Sequence, residues 1–184
     1  MKRFFLVIAG FLVAAAAPAQ EAERFGILLN DDLYKQKTPT DALTSVVIAI
    51  ERDRLDYLAA HLMPKDFVDA RLAKSAAYFE KVAAGQLAGT AQGAGLTGAE
   101  LQARVRAKAE VLNFRHLAET MKAKLADEPD NLKTLKRFLR EGELTEVGDT
   151  ATVTLKGVKD RTVYLRRLEG RWVFENRRED PAKE

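Results

Sequence analysis

The sequence predicts an α+β fold in which N-terminal helices pack on one face of a C-terminal antiparallel sheet of three to four strands. Two features of the sequence predict it. Before Gly142, apolar residues recur every three or four positions, which is the period of an amphipathic helix. After Gly142, apolar and polar residues alternate, which is the period of a half-buried strand. Helices followed by strands indicate an α+β arrangement rather than alternating α/β units.

The first residues predict an export signal. Lys2 and Arg3 precede an apolar run over residues 4–13, and small residues at an A-x-A spacing end at Ala19. The run is too short to cross a bilayer, which takes about 20 apolar residues. We therefore expect residues 1–19 to be a signal peptide cleaved after Ala19. The mature chain would then be exported, either periplasmic or extracellular, without a transmembrane segment; a retained N-terminal anchor is the alternative.

The composition excludes several classes of protein. The whole chain has a net charge of +3, and removal of the two basic residues of the signal leaves about +1, which is not a nucleic-acid-binding signature. The chain has no cysteine, so it has no disulfide, no thiol nucleophile and no cysteine to carry a lipid. An apolar core must stabilise the mature chain of about 165 residues, which is long enough to form one domain.

After the predicted signal peptide, the chain divides into three predicted parts. Residues 20–37 have mixed composition and are expected to form an N-terminal arm. Residues 38–178 are expected to form a single α+β domain. Within it, five of the eleven glycines fall in residues 85–98, so this segment is predicted to be a glycine-rich loop. Residues 179–184 form a polar tail.

Helix signals mark the first half of the domain. Thr38 is placed to cap the first helix, with Pro39 at its first position, and a break is expected near Asp53. A second helix is predicted to start at Pro64 and to end at Gly85, a residue type common just after helices.

Two further helices precede the sheet. Residues 99–127 have helical composition, and a short amphipathic helix is predicted from Pro129 or Asp130 to Gly142. Its inner side is predicted to carry Leu132, Leu135 and Leu139.

Alternation defines the strands. Threonines alternate with Ala151, Val153 and Leu155, so this strand has one apolar and one polar face. Val163 and Leu165 continue the pattern. Trp172 and Phe174 share one face of the last run, and Gly-containing turns separate the runs.

Two of these stretches carry a family resemblance. "TPTDALTSVVIAIERDRLDYLAAHLMP" resembles the opening helix pair, and "GDTATVTLKGVKDRTVYLRRLEGRWVF" the terminal hairpins, of the nuclear transport factor 2-like superfamily, which includes ketosteroid isomerase. Together they cover under half the chain. The resemblance implies a cone-shaped α+β domain with helices on a curved sheet.

The sequence predicts no catalytic residues, no metal site and no cofactor. Its two histidines, His61 and His116, lie far apart and lack a metal-binding spacing. Asp53 and Asp56 share a helix face, but the arginines between them favour solvated charge over an acid/base pair. A site like that of ketosteroid isomerase would need a tyrosine and a carboxylate, and the residues of these types are Tyr57, Tyr78, Tyr164 and Asp66. Packing is the preferred interpretation of the tyrosines.

A basic stripe is the candidate binding feature. Four cations follow helical spacing opposite the leucines: Lys133, Lys136, Arg137 and Arg140. Further arginines cluster toward the C-terminus: Arg166, Arg167, Arg171, Arg177 and Arg178. Such a surface could contact an acidic protein or an anionic component of the cell envelope, although a solvated helix face is the alternative. It has no interleaved aromatic residues for nucleic-acid bases.

The sequence therefore predicts an exported, non-catalytic binding or scaffolding module whose ligand and oligomeric state it does not specify. One alternative is a small acid/base enzyme of the isomerase or dehydratase type that uses the cavity of the cone. Another is a periplasmic chaperone, suggested by export, helix content and the basic stripe. A cavity holding a carboxylate and a tyrosine would favour the enzyme, whereas an exposed apolar groove would favour the chaperone.

Overall fold

The computed structural model describes residues 23–88, 90, 95–157 and 161–175. The predicted signal peptide, the polar tail and the arginines at 177 and 178 lie outside the described residues, as does part of the glycine-rich loop. The described part of the predicted arm contains a small hairpin of β1 (Glu23–Arg24) and β2 (Ile27–Leu28).

The first helix, α1 (Pro39–Glu51), begins as its sequence predicts. The side-chain oxygen of Thr38 accepts a hydrogen bond from the backbone N–H of Asp41 at 3.0 Å, and the Asp41 carboxylate accepts one from the backbone N–H of Thr38 at 3.2 Å. This reciprocal capping box satisfies donors that the first helical turn leaves unpaired. The expected break near Asp53 is confirmed, because Asp53 adopts a positive φ of 56° directly after the helix.

Five more helices follow in the described residues, one of them continued by a π-helical turn over Leu58–Leu62 that is called the π-turn below. They are α2 (Leu55–Tyr57), α3 (Lys65–Ala73), α4 (Ala76–Leu87), α5 (Gly98–Asp127) and α6 (Asp130–Glu141). The bounds of α6 agree with the sequence-based prediction. No helix in the described ranges is long and apolar enough to cross a membrane.

The single helix predicted between Pro64 and Gly85 is wrong, because α3 and α4 are separated at Lys74 and Ser75. A buried residue of α5, Asn113, accounts for the break. Its amide donates to the carbonyl of Leu72 at 2.8 Å, and its oxygen accepts from the Ser75 hydroxyl at 2.8 Å. These bonds satisfy polar groups at the helix end that would otherwise be buried without partners.

The helix α4 also extends further than predicted. Gly85 lies inside it, and the helix ends at Leu87. The helix therefore ends two residues later than the glycine composition indicates. The next helix, α5, begins at Gly98 and has its own capping box between Thr97 and Glu100.

After α6, the chain forms a four-stranded antiparallel sheet in the order β3-β4-β5-β6. Its strands are β3 (Glu143–Val147), β4 (Thr150–Thr154), β5 (Thr162–Leu168) and β6 (Arg171–Glu175). The last hairpin closes through Glu169 and Gly170, both with positive φ, as a two-residue turn of the type that matches strand twist.

The predicted packing of helices on one sheet face is confirmed. Helices α1 and α6 contribute Leu43 and Phe138 to a buried cluster with Val153, Leu165 and Trp172. In α6, Phe138 is the fully buried residue, whereas Leu135 and Leu139 are partly buried beside it. The alternation noted in the sequence therefore places one set of strand residues against the helices.

Away from the sheet, the helices form their own core. The π-turn, α2 and α3 bury residues around Tyr57 and Phe114, and α4 packs along α5 through Phe79, Ala83 and Ala109. This arrangement holds the π-turn and the start of α3 beside β6, where they reach the sheet face that α1 and α6 do not cover.

Candidate functional site

A cavity of about 340 Å³ lies at the β5–β6 end of the sheet, on the face opposite α1 and α6. The π-turn, the start of α3 and β1 form its other walls. Its apolar lining consists of Ala60, Met63, Leu168 and Val173. Its charged lining consists of Arg24, Lys65, Asp66, Arg166, Glu169 and Arg171. Gln36 and His61 complete the wall.

Strand alternation explains why β5 and β6 supply both kinds of lining. In the register of the last hairpin, Arg166 pairs with Val173 and Leu168 pairs with Arg171, so these four side chains share one face. The intervening Trp172 points to the helix-covered core. The alternate strand residues, whose side chains point away from the helix-covered core, therefore line the cavity.

Arg24 fixes the β1 wall. Its side chain is only 8% exposed, and its guanidinium donates to the carbonyls of Ala60 at 3.2 Å and Lys65 at 3.4 Å. It also forms an ion pair with Asp69 at 2.5 Å. A buried cation needs such partners to offset the loss of hydration. These contacts fix the side chain of Arg24, which therefore stabilises this wall of the cavity.

Gln36 connects the π-turn to the sheet. Its side-chain amide donates to the carbonyl of His61 at 3.1 Å and to that of Trp172 at 2.8 Å. Its side-chain oxygen accepts a hydrogen bond from Arg171, which also pairs with Asp31 at 2.7 Å. Buried polar side chains whose hydrogen bonds are satisfied specify one arrangement of their neighbours, so this wall is rigid.

The surroundings of His61 favour its neutral form. Its Nε2 lies 2.8 Å from the carbonyl of Ile27, and a carbonyl only accepts, so Nε2 carries the hydrogen. Burial lowers the pKa of His61, and the nearby charges of Arg171 and Arg24 lower it further, against the opposing effects of that hydrogen bond and of Asp31. The imidazole therefore connects the β1–β2 hairpin to the π-turn.

The mouth of the cavity is held less tightly. Arg166 contacts Asp66 at 3.3 Å and Glu175 at 3.8 Å, and its buried Nε has no hydrogen-bond partner in the described residues. Lys65 lies 3.8 Å from Glu169. The carboxylates of Asp66 and Glu169 are 73% and 60% exposed. These ion pairs are longer and more exposed to solvent than those of Arg24 and Arg171.

The predicted basic stripe does lie together on α6, away from the cavity. Carboxylates accompany all four of its cations: Lys133 with Asp130 at 2.9 Å, Lys136 with Glu51 at 2.5 Å, and Arg137 and Arg140 with Glu141 at 3.3 and 3.9 Å. The pair between Lys136 and Glu51 joins α6 to α1. Binding of an anionic partner by this stripe remains a prediction.

The described residues that line the cavity include none of the three tyrosines considered for an isomerase-like site. Tyr57 is buried, stacks on Tyr34 with ring centroids 4.0 Å apart, and accepts a hydrogen bond from the backbone N–H of Asn30. Tyr78 is exposed on α4, and Tyr164 is not among the residues that line the cavity.

The other titratable candidates are also separate. Asp53 pairs with Lys122, and Asp56 pairs with Arg54 at 2.8 Å. His116 lies on α5 beside Phe79, whereas His61 lies in the π-turn. Among the described residues, no group of histidines and carboxylates is arranged to hold a metal ion.

The sequence indicates some residues of the cavity but not their proximity. Asp66 was noted as a carboxylate, and Arg166 and Arg171 as components of C-terminal positive charge. Arg24, Gln36 and Lys65 were missed. The available signal was an arginine inside a short apolar arm, "ERFGILL", where a cation requires a partner elsewhere in the fold.

Together, the fold and the site define an α+β protein with a partly apolar, partly charged cavity beside its last hairpin. No protein-family model, no curated protein and no solved structure matches this chain.

Proposed function

We propose that the protein is an exported, non-catalytic binding module whose ligand site is the cavity between the π-turn and the β5–β6 hairpin. The observation that carries this proposal is the combination of an apolar floor, at Met63 and Val173, with charged groups at an open mouth. Small-molecule sites commonly combine an apolar lining with a few polar groups, and a volume of about 340 Å³ is near the lower end of their range.

The walls of the cavity support a ligand site that exists before binding. Arg24, Gln36 and His61 each form buried hydrogen bonds that connect different elements of the chain. A preformed site loses little conformational entropy when a ligand binds, because its side chains are already ordered.

The acid/base enzyme fits the cavity less well. Such an enzyme needs a carboxylate, histidine or tyrosine held ready for proton transfer in a dry site. The cavity lining includes no tyrosine among the described residues, its carboxylates Asp66 and Glu169 are mostly exposed, and His61 is engaged with a backbone carbonyl. The nuclear transport factor 2-like resemblance, which suggested this alternative, remains part of the proposal at the level of fold.

The chaperone alternative needs a continuous apolar groove. The exposed large apolar side chains in the described ranges are instead distributed over three elements: Leu28 on β2, Tyr78 on α4, and Leu144 and Val147 on β3. The cavity offers a small-molecule site in place of a groove for an unfolded chain.

A fragment screen followed by NMR tests the binding function. We expect binding fragments to shift the backbone amide signals of Met63, Leu168 and Val173. Leu168→Trp should fill the mouth and abolish these shifts, whereas the matched Leu144→Trp on the exposed strand β3 should leave them unchanged. A screen whose hits all map outside the cavity, or that yields no hits, would reject the proposed function.

Export has its own test. We expect the mature protein recovered from the host to begin at Gln20, as measured by intact mass spectrometry. Recovery of a mature form that retains residues 1–19 would contradict cleavage after Ala19.

A further inference from the structure

We propose that the ligand of the cavity is a small organic acid, whose carboxylate binds Arg166 and Lys65 while its apolar part contacts Met63, Leu168 and Val173. This inference rests on the proposed binding function and specifies the chemistry of that site. It follows from a difference among the cations of the cavity, from the exposure of the carboxylates at its mouth, and from the position of its apolar floor.

The four cations of the lining are not equally engaged. Arg24 and Arg171 hold carboxylates at 2.5 and 2.7 Å and also bind other groups of the wall. Arg166 has longer contacts of 3.3 Å to Asp66 and 3.8 Å to Glu175. Among the described residues, its buried Nε has no hydrogen-bond partner. Arg166 is therefore the guanidinium that gains most from an added carboxylate, because a buried donor without an acceptor is costly.

The carboxylates beside these cations are replaceable. Asp66 is 73% exposed and Glu169 is 60% exposed, so each can rotate into water with little loss of hydration or packing. Exposed ion pairs contribute at most about 1 kcal/mol, so displacing one costs little. A ligand carboxylate that binds the planar fork of an arginine through two oxygens can gain more than this.

The charges around the cavity give an anion a place by exchange, because Asp69 and Asp31 already neutralise Arg24 and Arg171. The cations at the mouth are Arg166 and Lys65, and a ligand carboxylate that displaces Asp66 keeps the charge balance of Arg166 unchanged. Glu175, which is only 17% exposed, lies beside Arg166 on β6 and stays in place to orient the guanidinium. The ligand carboxylate then replaces Asp66 at Nη2 and can also accept a hydrogen bond from the neighbouring Nε.

The apolar floor limits the size of the acid. Met63 and Val173 are buried, and Leu168 is partly buried beside the mouth. A volume of about 340 Å³ suits a ligand with a short hydrocarbon chain better than a long-chain lipid. Hexanoate is therefore a suitable probe, and hexanamide is its neutral counterpart of nearly equal shape.

The experiment measures the affinity of the mature chain for hexanoate and hexanamide by isothermal titration calorimetry, with NMR to locate binding. We expect hexanoate to bind about tenfold more tightly than hexanamide, as a charge-assisted hydrogen bond predicts. Arg166→Gln should remove this preference, and Arg166→Lys should restore part of it. The control Arg167→Gln should keep it, because Arg167 lies one position along the same strand, points to the other face and pairs with Asp149.

A second variant tests displacement of the carboxylate at the mouth. Asp66→Asn should increase the affinity for hexanoate several-fold, because the ligand no longer competes with a charge, and should leave hexanamide binding nearly unchanged. A weaker affinity for hexanoate in Asp66→Asn would contradict displacement.

The outcomes separate this inference from the binding function. Equal affinities for hexanoate and hexanamide, or a preference that persists in Arg166→Gln, would overturn the organic-acid inference while leaving the cavity as a ligand site. Cavity binding by neutral or cationic fragments alone would do the same. Absence of any fragment binding in the cavity would overturn both.

Discussion

The guanidinium of Arg166 lies 3.3 Å from the carboxylate of Asp66, a residue 100 positions earlier in the chain. This contact connects the start of α3 to β5 across the mouth of the cavity. Together with the exposed pair between Lys65 and Glu169, it joins the helices to the sheet at the side where the proposed ligand enters.

Gly142 is required where α6 passes into the sheet. A Cβ at this position would overlap the carbonyl oxygen of Phe138 and a methyl group of Val153. Gly142→Ala should therefore lower the free energy of unfolding by about 1–3 kcal/mol through overpacking.

Gly85 provides the matched control for this glycine. It lies inside α4, and a Cβ there would meet no atom within 4 Å. Gly85→Ala should raise the free energy of unfolding by about 0.5–1 kcal/mol, because alanine favours helix interiors. Urea denaturation of both variants measures the two effects, and a stabilising Gly142→Ala would contradict the close α6–β4 contact at Gly142.

Val153 tests the face of the sheet that the helices cover. Its side chain is 4% exposed within the cluster formed by α1, α6 and the strands. Val153→Asp should cost about 3 kcal/mol or more, because it places an unpaired charge in the core. Thr152→Asp, on the other face of β4, should cost much less. Equal losses of melting temperature in the two variants would show that the buried face of the sheet has been assigned wrongly.

His61 predicts a pH dependence of stability. Its pKa is lowered in the folded state, mainly by burial, from an ordinary value of 6.5. The unfolded chain therefore binds a proton more readily, so stability is full above pH 6.5 and declines as the pH falls through the lowered folded pKa. Chemical denaturation between pH 7.5 and 5.5 measures this decline.

The second histidine serves as the control for this titration. His61→Gln should reduce the decline, because glutamine keeps a donor for the carbonyl of Ile27 but does not titrate. His116→Gln, an exposed position on α5, should keep it. If the decline in stability survives in His61→Gln and disappears in His116→Gln, His116 rather than His61 causes it.

The sequence predicted those parts of the fold that periodicity and capping determine locally. The cap at Thr38, the break at Asp53 and the core face around Val153 depend on nearby residues, so their patterns are visible in the chain. The break between α3 and α4 was not predictable in this way. It depends on Asn113, 41 positions after Leu72, and no proline or glycine marks it.

The candidate site was less predictable than the fold for the same reason. Arg166 was visible only as one of several positive charges, and Asp66 only as one of many carboxylates. Asp66 and Arg166 come together because the π-turn packs beside β6. No periodicity in the sequence indicates that contact. The basic stripe was visible because helical spacing alone defines it, yet ion pairs with Asp130, Glu51 and Glu141 accompany its charges.

The most direct test of the cavity as the ligand site uses methionine as a reporter. Met63 lines the cavity, whereas Met121 lies on α5 and packs on the helical core. In a chain labelled with ¹³C at the methionine methyl groups, and assigned with Met63→Leu and Met121→Leu, titration with hexanoate should shift the Met63 signal progressively and leave the Met121 signal in place. A Met63 signal that does not move while hexanoate binds, or a shift confined to Met121, would contradict binding in the cavity.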